Sequence, residues 1–168
     1  MPIEGFNLEN FTANFSGGAR SYLFMYEPSF PEGSLSDTRR YLVRSTTLPD
    51  SNIEELILNW QGLDFKVAGK QSYSDWTITF NVDQKYNIRN DFELWMNNIS
   101  NRDKYGKMKD YMQDQNLLLL DYEGNRIGSV KLFNAWPKSV SAITLDYSAM
   151  DVAQFDVTFS YQYHEITK

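Results

Sequence analysis

The residues able to do chemistry are few. The chain has one histidine, His164, and no cysteine. That removes thiolate nucleophiles, disulfides, iron–sulfur clusters and thiolate zinc sites, and it leaves no site with several His ligands from this chain alone. His164 falls on the polar side of an alternating stretch. As a general base it would need a positioned partner and a cleft. Its neighbour Glu165 points to the other face of a strand, so a solvated strand histidine is the expectation. Asp plus Glu number 22. A glycosidase pair could be drawn from distant segments, but Asp110 and Asp114, at i, i+4, sit in a segment that reads as strand, where solvated charge is the simpler account. Ser16-Gly17-Gly18 and the glycines of 124–128 lack the spacing of a phosphate-cradling loop, and no calcium-loop pattern occurs. No catalytic residue, cofactor or metal site is assigned, and the chain does not read as an enzyme.

Aromatic residues make up 15% of the chain. Trp76, Trp95 and Trp136 could in principle stack bases, but single-strand binders set such rings in a basic groove. A formal net charge of -6 argues against tight binding to phosphate backbones. Periodicity assigns Trp76 and Trp95 to a core instead.

The elements that must position these residues are mostly strands. At 168 residues the chain is long enough for one domain with a core of its own, and residues 1–168 read as that single domain. Residues 1–18 look loosely ordered, with Gly17-Gly18 breaking any regular element. Strands are expected at 21–27, 40–46, 52–60, 64–68 and 75–82. A helix follows, in which Ile88, Phe92, Trp95, Met96 and Ile99 recur at helical spacing. Asp83 offers it an N-cap carboxylate, and Arg89, Asn90, Glu93 and Asn97 take its wet side. Residues 101–106 read as a charged linker. A hairpin of 110–122 with 126–133 turns at Glu123-Gly124-Asn125, Trp136-Pro137 punctuates, and 141–147 pairs with 155–164. The fold class is therefore mainly β, a β-rich α+β arrangement of antiparallel sheets in a sandwich or partial barrel with one main helix. No segment approaches the roughly 20 apolar residues of a membrane helix, and no signal peptide is visible.

Two stretches stand out. In 155–164, Phe155, Val157, Phe159, Tyr161 and Tyr163 alternate with Asp156, Thr158, Ser160, Gln162 and His164. In 75–82, Trp76, Ile78, Phe80 and Val82 alternate with Thr77, Thr79 and Asn81. Period two marks half-buried strands with one dry and one wet face. Residues 50–71 differ: Ile53 and Ile57 fall on one side, Leu56, Leu58 and Trp60 on the other. Such a strand is either covered twice or belongs to an arm that leaves its own domain and docks on a neighbour.

"VAGKQSYSDWTITF" (67–80) resembles a motif of the tail tube proteins of contractile-tailed bacteriophages, in which a Val-Ala-Gly turn leads through a polar loop into an Asp-Trp-Thr strand. The helix of 87–99 follows as it does there. "LFNAWPKSVSAITLDYSAMDVAQFDVTFSYQYHE" (132–165) is similar to the family's closing unit, and "ARSYLF" (19–24) and "TTLPD" (46–50) look like its first strand and the turn after its second. The resemblance implies a homo-hexameric ring whose subunits complete one β-barrel around a lumen. It also implies rings stacked into a tube inside a contractile sheath, with sheath, baseplate and tail terminator proteins as partners and DNA passing without specific binding. The location implied is the virion tail, after synthesis in the host cytoplasm. The type VI secretion tube and related injection-system tubes share this architecture. A tube subunit of such a system, a baseplate tube initiator, or less readily a β-rich carbohydrate-binding or hydrolytic domain, are the alternatives.

With that architecture, Thr77, Thr79, Asn81, Asp156, Thr158, Ser160 and Gln162 are the expected lumen-facing residues. Ile53, Leu56, Ile57, Leu58 and Trp60 are the expected inter-subunit arm. Trp76, Ile78, Phe80, Phe92, Trp95, Met96, Phe155, Val157, Phe159 and Tyr161 are the expected core.

Overall fold

Alternation builds the middle of the molecule. In the strand Trp76–Asn81, Trp76, Ile78 and Phe80 are buried while Thr77 is exposed; in Gln154–Ser160, Phe155, Val157 and Phe159 are buried while Asp156 is exposed. Residues two apart share a face, so the two strands make one dry wall only in the correct register. They have it: Phe155 lies opposite Phe80, Val157 opposite Ile78 and Phe159 opposite Trp76.

The computed structural model describes residues 7–31 and 37–168. Its strands are β1 (Phe24–Glu27), β2 (Val43–Thr46), β3 (Asn52–Trp60), β4 (Leu63–Ser72), β5 (Trp76–Asn81), β6 (Ser100–Asn101), β7 (Lys104–Tyr105), β8 (Gln113–Leu120), β9 (Arg126–Val140), β10 (Gln154–Ser160) and β11 (Tyr163–Thr167); its α-helices are α1 (Leu8–Phe15), α2 (Asn87–Ile99) and α3 (Met108–Tyr111). A seven-stranded antiparallel sheet runs in the order β1-β8-β9-β10-β5-β2, with β11 also paired to β9. It does not close on itself, since β1 and β2 end the path. β3 with β4, and β6 with β7, form separate two-stranded ribbons. This is the mainly β, antiparallel class expected from sequence.

α2 covers the dry wall. Ile88, Phe92 and Trp95 are its buried residues. The Phe92 ring lies 5.1 Å from Phe80, 6.1 Å from Phe155 and 6.1 Å from Phe159, within the range of favourable aromatic packing. Burying one such side chain contributes about 1.5–3 kcal/mol. Both buried indoles are satisfied: Trp76 Nε1 donates to Thr47 O at 2.7 Å and Trp95 Nε1 to Tyr111 O at 2.8 Å.

Asp83 caps α2 from a distance. The residue at the cap position is Tyr86, in the left-handed region at φ 56 with no side-chain cap bond, and Asp83 Oδ1 accepts from Ile88 N at 3.1 Å. Burial works to raise the Asp83 pKa, but backbone N–H groups of Ile88, Asn87, Asp83 and Lys85 outweigh it and hold the carboxyl below its ordinary value. At the other end the chain passes so close to the helix that a Cβ on Gly106 would lie 2.1 Å from Asn98 O.

Several expectations change. The segment expected to be loosely ordered holds α1, whose Asn7 cap accepts from Asn10 N at 2.8 Å and which buries no residue; residues 1–6 lie outside those described. The longer stretch expected as strand from 110 begins instead with α3, and the charged linker folds into the β6–β7 ribbon. Trp136-Pro137 does not end a strand. β9 runs through it for 15 residues, paired up to Ala135 with β8 and from Trp136 with β10. Asn134 at φ 53 makes the bend. The register shift between Thr158 and Phe159 skips Lys138, next to Pro137, and a residue without an N–H is tolerated beside such a bulge. Residues 141–147 then form no strand. The last alternation breaks after Tyr161: β10 and β11 are separate, and Tyr163 is 41% exposed, stacked on Phe133 at 4.5 Å. Met96 is only half-buried.

Candidate lumen wall and assembly arm

The side of the sheet away from α2 is a polar ladder. Thr77 lies opposite Thr158, Thr79 opposite Asp156 and Asn81 opposite Gln154. β9 adds Ser139 opposite Thr158, and β2 adds Ser45 opposite Thr79. Threonine suits such a surface because its branched Cβ favours strands and its hydroxyl bonds across them. The Thr77 and Thr158 hydroxyls are 3.2 Å apart, and Thr79 Oγ1 donates to Asp156 Oδ1 at 2.6 Å. Thr46 Oγ1 donates to Thr77 O at 3.1 Å, and Asp156 N donates to Ser141 Oγ at 2.8 Å. Charges on this side are paired or shared: Arg44 Nη1 donates to Gln154 Oε1 at 2.5 Å, and Lys138 Nζ bonds Asp75 Oδ2 at 2.7 Å.

Of the residues expected on this wall, Thr77, Thr79, Asn81, Asp156 and Thr158 come together in register. Ser160 continues it opposite Trp136 at the bent part of β9. Gln162 stands apart, in the bend between β10 and β11, where its N donates to Phe133 O at 3.1 Å.

The β3–β4 ribbon holds the residues expected as the arm. Its tip is the two-residue turn Gln61-Gly62, at φ 49 and 80, a turn with both central residues left-handed that suits strand twist and favours glycine. Pairing with β4 resolves what β3 alone leaves ambiguous. Leu56 lies opposite Val67, Leu58 opposite Phe65 and Trp60 opposite Leu63, so one face is apolar throughout. The other carries Glu55, Ile57, Asn59, Asp64 and Lys66, where Asn59 Nδ2 donates to Asp64 Oδ1 at 2.9 Å and Lys66 meets Glu55 at 3.1 Å. Trp60 is 72% exposed, Leu63 75% and Phe65 63%. The expected arm residues Ile53, Leu56, Ile57, Leu58 and Trp60 are all exposed, Ile53 and Ile57 on the more polar face.

Three features escaped the sequence. Gln115 is fully buried; it accepts from the Tyr26 hydroxyl and from Ser29 N at 3.2 Å, and donates to Ser29 O at 2.9 Å. Arg89, expected on the wet side of α2, instead reaches over the Phe155 ring at 5.3 Å, donates to Ser141 O and pairs with Glu93 at 2.7 Å. His164, expected in water, packs on Tyr73 with ring centroids 5.2 Å apart. Its Nδ1 and the Tyr161 hydroxyl are buried with no hydrogen-bond partner among the described residues. No signal in a single polar residue distinguishes these from solvated neighbours. Among the described residues no three His, Asp or Glu side chains could jointly hold a metal ion, and no helix is long and apolar enough to cross a membrane.

This open antiparallel sheet with its projecting ribbon has the fold of chains found in contractile injection systems. The chain superposes on one from the anti-feeding prophage tube-terminating cap with TM-score 0.70 at 18% identity, covering 89% of this chain and 91% of that one. A chain of the sheath-tube complex of an extracellular contractile injection system in its extended state gives TM-score 0.66 at 17% identity, covering 93% and 97%. A family model described as phage tail tube protein matches residues 9–167, and the chain belongs to that family. It is 24% identical over 165 residues to the tail tube protein gp19 of Enterobacteria phage T4, covering 94% of this chain and 99% of that protein.

Proposed function

We propose that this chain is the subunit of a phage tail tube in which identical copies form hexameric rings, the rings stack, and the polar ladder lines the bore through which DNA leaves the virion. The observation that carries the reading is the sheet itself. Its path is open at β1 and β2, and β11 pairs only with β9 among the described residues, which leaves edges that a neighbouring copy can pair, and barrels are the arrangement in which sheet edges disappear. Thr77, Thr79, Asn81, Asp156, Thr158 and Ser160 then face the water-filled lumen, while Phe92, Trp95 and the buried groups of β5 and β10 lie behind them. The whole chain acts as one tube unit, and its arm reaches an adjacent copy.

A wall of hydroxyls, amides and balanced charge suits a conduit. Binding to duplex DNA gains its strength from Lys and Arg releasing counterions from phosphates, and here Arg44 and Lys138 are engaged by Gln154 and Asp75. The sheath packs outside the tube, with a baseplate at one end and a terminator at the other. Synthesis occurs in the host cytoplasm. Nothing in the ladder calls for catalysis. Negative-stain microscopy of the purified protein tests the reading: hollow rods or six-fold rings are expected, and a protein that stays monomeric at every concentration and ionic strength tried would sink it.

A further inference from the structure

Two surfaces of this chain are fully shaped and uncovered. One is the dry face of the arm, where Leu56, Leu58, Trp60, Leu63 and Phe65 are exposed to between 49% and 75%. The other is α1, where Leu8, Phe11 and Phe15 share one side at i, i+3 and i+7, exposed by 75%, 58% and 55%. The Phe11 and Phe15 rings stack at 5.2 Å, which makes a firm ridge. Neither element is stable in isolation: a helix this short is marginal in water, and so is a two-stranded ribbon. Yet each is closed by specific stop and turn chemistry. Asn7 caps the start of α1, Ser16, Gly17 and Gly18 leave its end at φ 49, 81 and 69, and Gln61-Gly62 turns the ribbon.

We infer that α1 of one copy packs its Leu8–Phe11–Phe15 ridge along the dry face of the arm of a second copy. The inference rests on the tube reading for the presence of that second copy. The dimensions match. Leu8 to Phe15 spans about 10 Å at the rise of a helix, and Leu56 to Trp60 about 13 Å at the rise of a strand. The chemistry matches too. Both facing surfaces lack charge, while Glu9, Asn10 and Asn14 on the helix and Glu55, Asn59, Asp64 and Lys66 on the ribbon stay in water. A helix laid on a ribbon closes a small dry layer that neither achieves alone. Covering both faces removes on the order of 1,000 Å² from water, the size a specific contact needs.

The chain has no cysteine, so introduced thiols are the only ones present. In Phe11→Cys/Leu58→Cys protein, mild oxidation of assembled rods is expected to give a non-reducing ladder of linked chains. Phe11→Cys/Ile57→Cys, with its second thiol on the opposite ribbon face, should stay monomeric. Rods that form but give no ladder, a ladder equally strong from both pairs, or a monomer bridged within itself would each overturn the inference while leaving the tube reading intact. Linked chains without rods in the unsubstituted protein would keep the contact and sink the tube. Should neither cysteine pair assemble, Phe11→Ser decides. Its assembly onset is expected at a concentration roughly tenfold higher or more, with unchanged monomer melting; an unchanged onset overturns the contact.

Discussion

Thr79 lies directly across from Asp156 and donates its hydroxyl proton to that carboxylate at 2.6 Å. The acid on the polar ladder is therefore held by a neighbour rather than presented bare, as the Thr77 hydroxyl is by Thr158. If the ladder lines the bore, introducing free cations there should change the behaviour of DNA far more than the behaviour of the protein.

Thr158→Lys with Ser160→Lys is expected to fold and assemble, since both sites are only half-buried and face water. Each ring would add lysines facing phosphate, and genome ejection should slow, more so at low salt. Ejection kinetics followed by DNA release in vitro check this. Unchanged kinetics in tubes confirmed to carry the lysines would remove the ladder from the bore.

Deleting the arm tip, residues 57–66, and closing the ribbon with Asn-Gly should leave a folded monomer, because no arm residue enters the core. Sedimentation and microscopy should show loss of long tubes. Long tubes from the deleted protein would refute the arm's role.

Gln115→Ala strands the buried Tyr26 hydroxyl and the Ser29 amide. Leaving a buried polar group unpaired costs about 1–3 kcal/mol, and Ser29 is only half-buried, so a drop of about 1–3 kcal/mol in denaturant unfolding is expected. A change within a few tenths would mean water replaces the amide.

Tyr161→Phe should behave oppositely. The Tyr161 hydroxyl is buried and unpartnered, so removing it deletes an unmet polar group, and the melting temperature should hold or rise at pH 7. A loss above about 1 kcal/mol would show that the hydroxyl has a partner in the assembled or hydrated protein.

The same residue sets an alkaline limit. Burial first, then the charges of Asp50, Tyr73 and Asp75, pushes the Tyr161 pKa up to about 12, and burial alone pushes Tyr26 higher still. A raised folded-state pKa means that the contribution is complete below the unfolded value near 10 and is lost as pH climbs through the folded one. Thermal melts should therefore fall from about pH 10 upward, and less steeply in Tyr161→Phe. Asp83 works in the other direction. Its lowered pKa contributes stability above its ordinary value near 3.8, and that contribution drains away on acidification below it. A flat profile from pH 9 to 12 would contradict the tyrosine account.

Periodicity made the ladder legible. Thr77, Thr79, Asp156 and Thr158 could be placed on one face because period two fixes the face of every second residue, and the register then follows from burying Phe80 against Phe155. The arm was legible as an anomaly, but its dry face emerges only through pairing with β4, which no single strand reveals. What stayed hidden lay beyond local pattern. α1 has no core to bury, so its short ridge resembles loop. β9 continues through Pro137, which stays opposite Phe159 beside a bulge at Lys138. Gln115 and Arg89 are polar residues whose partners, Tyr26 and Ser141, are far along the chain.

An arm that fits a helix, rather than another arm, joins unlike surfaces. Around a ring such a joint closes; used between stacked rings it would not saturate, because every subunit added by it would hide one hairpin and one ridge and bring a fresh pair with it. A polymer grown this way has a head and a tail, shows different surfaces at its two ends, and has no built-in length. Where it begins and where it stops must be decided by other proteins that satisfy only one half of the joint.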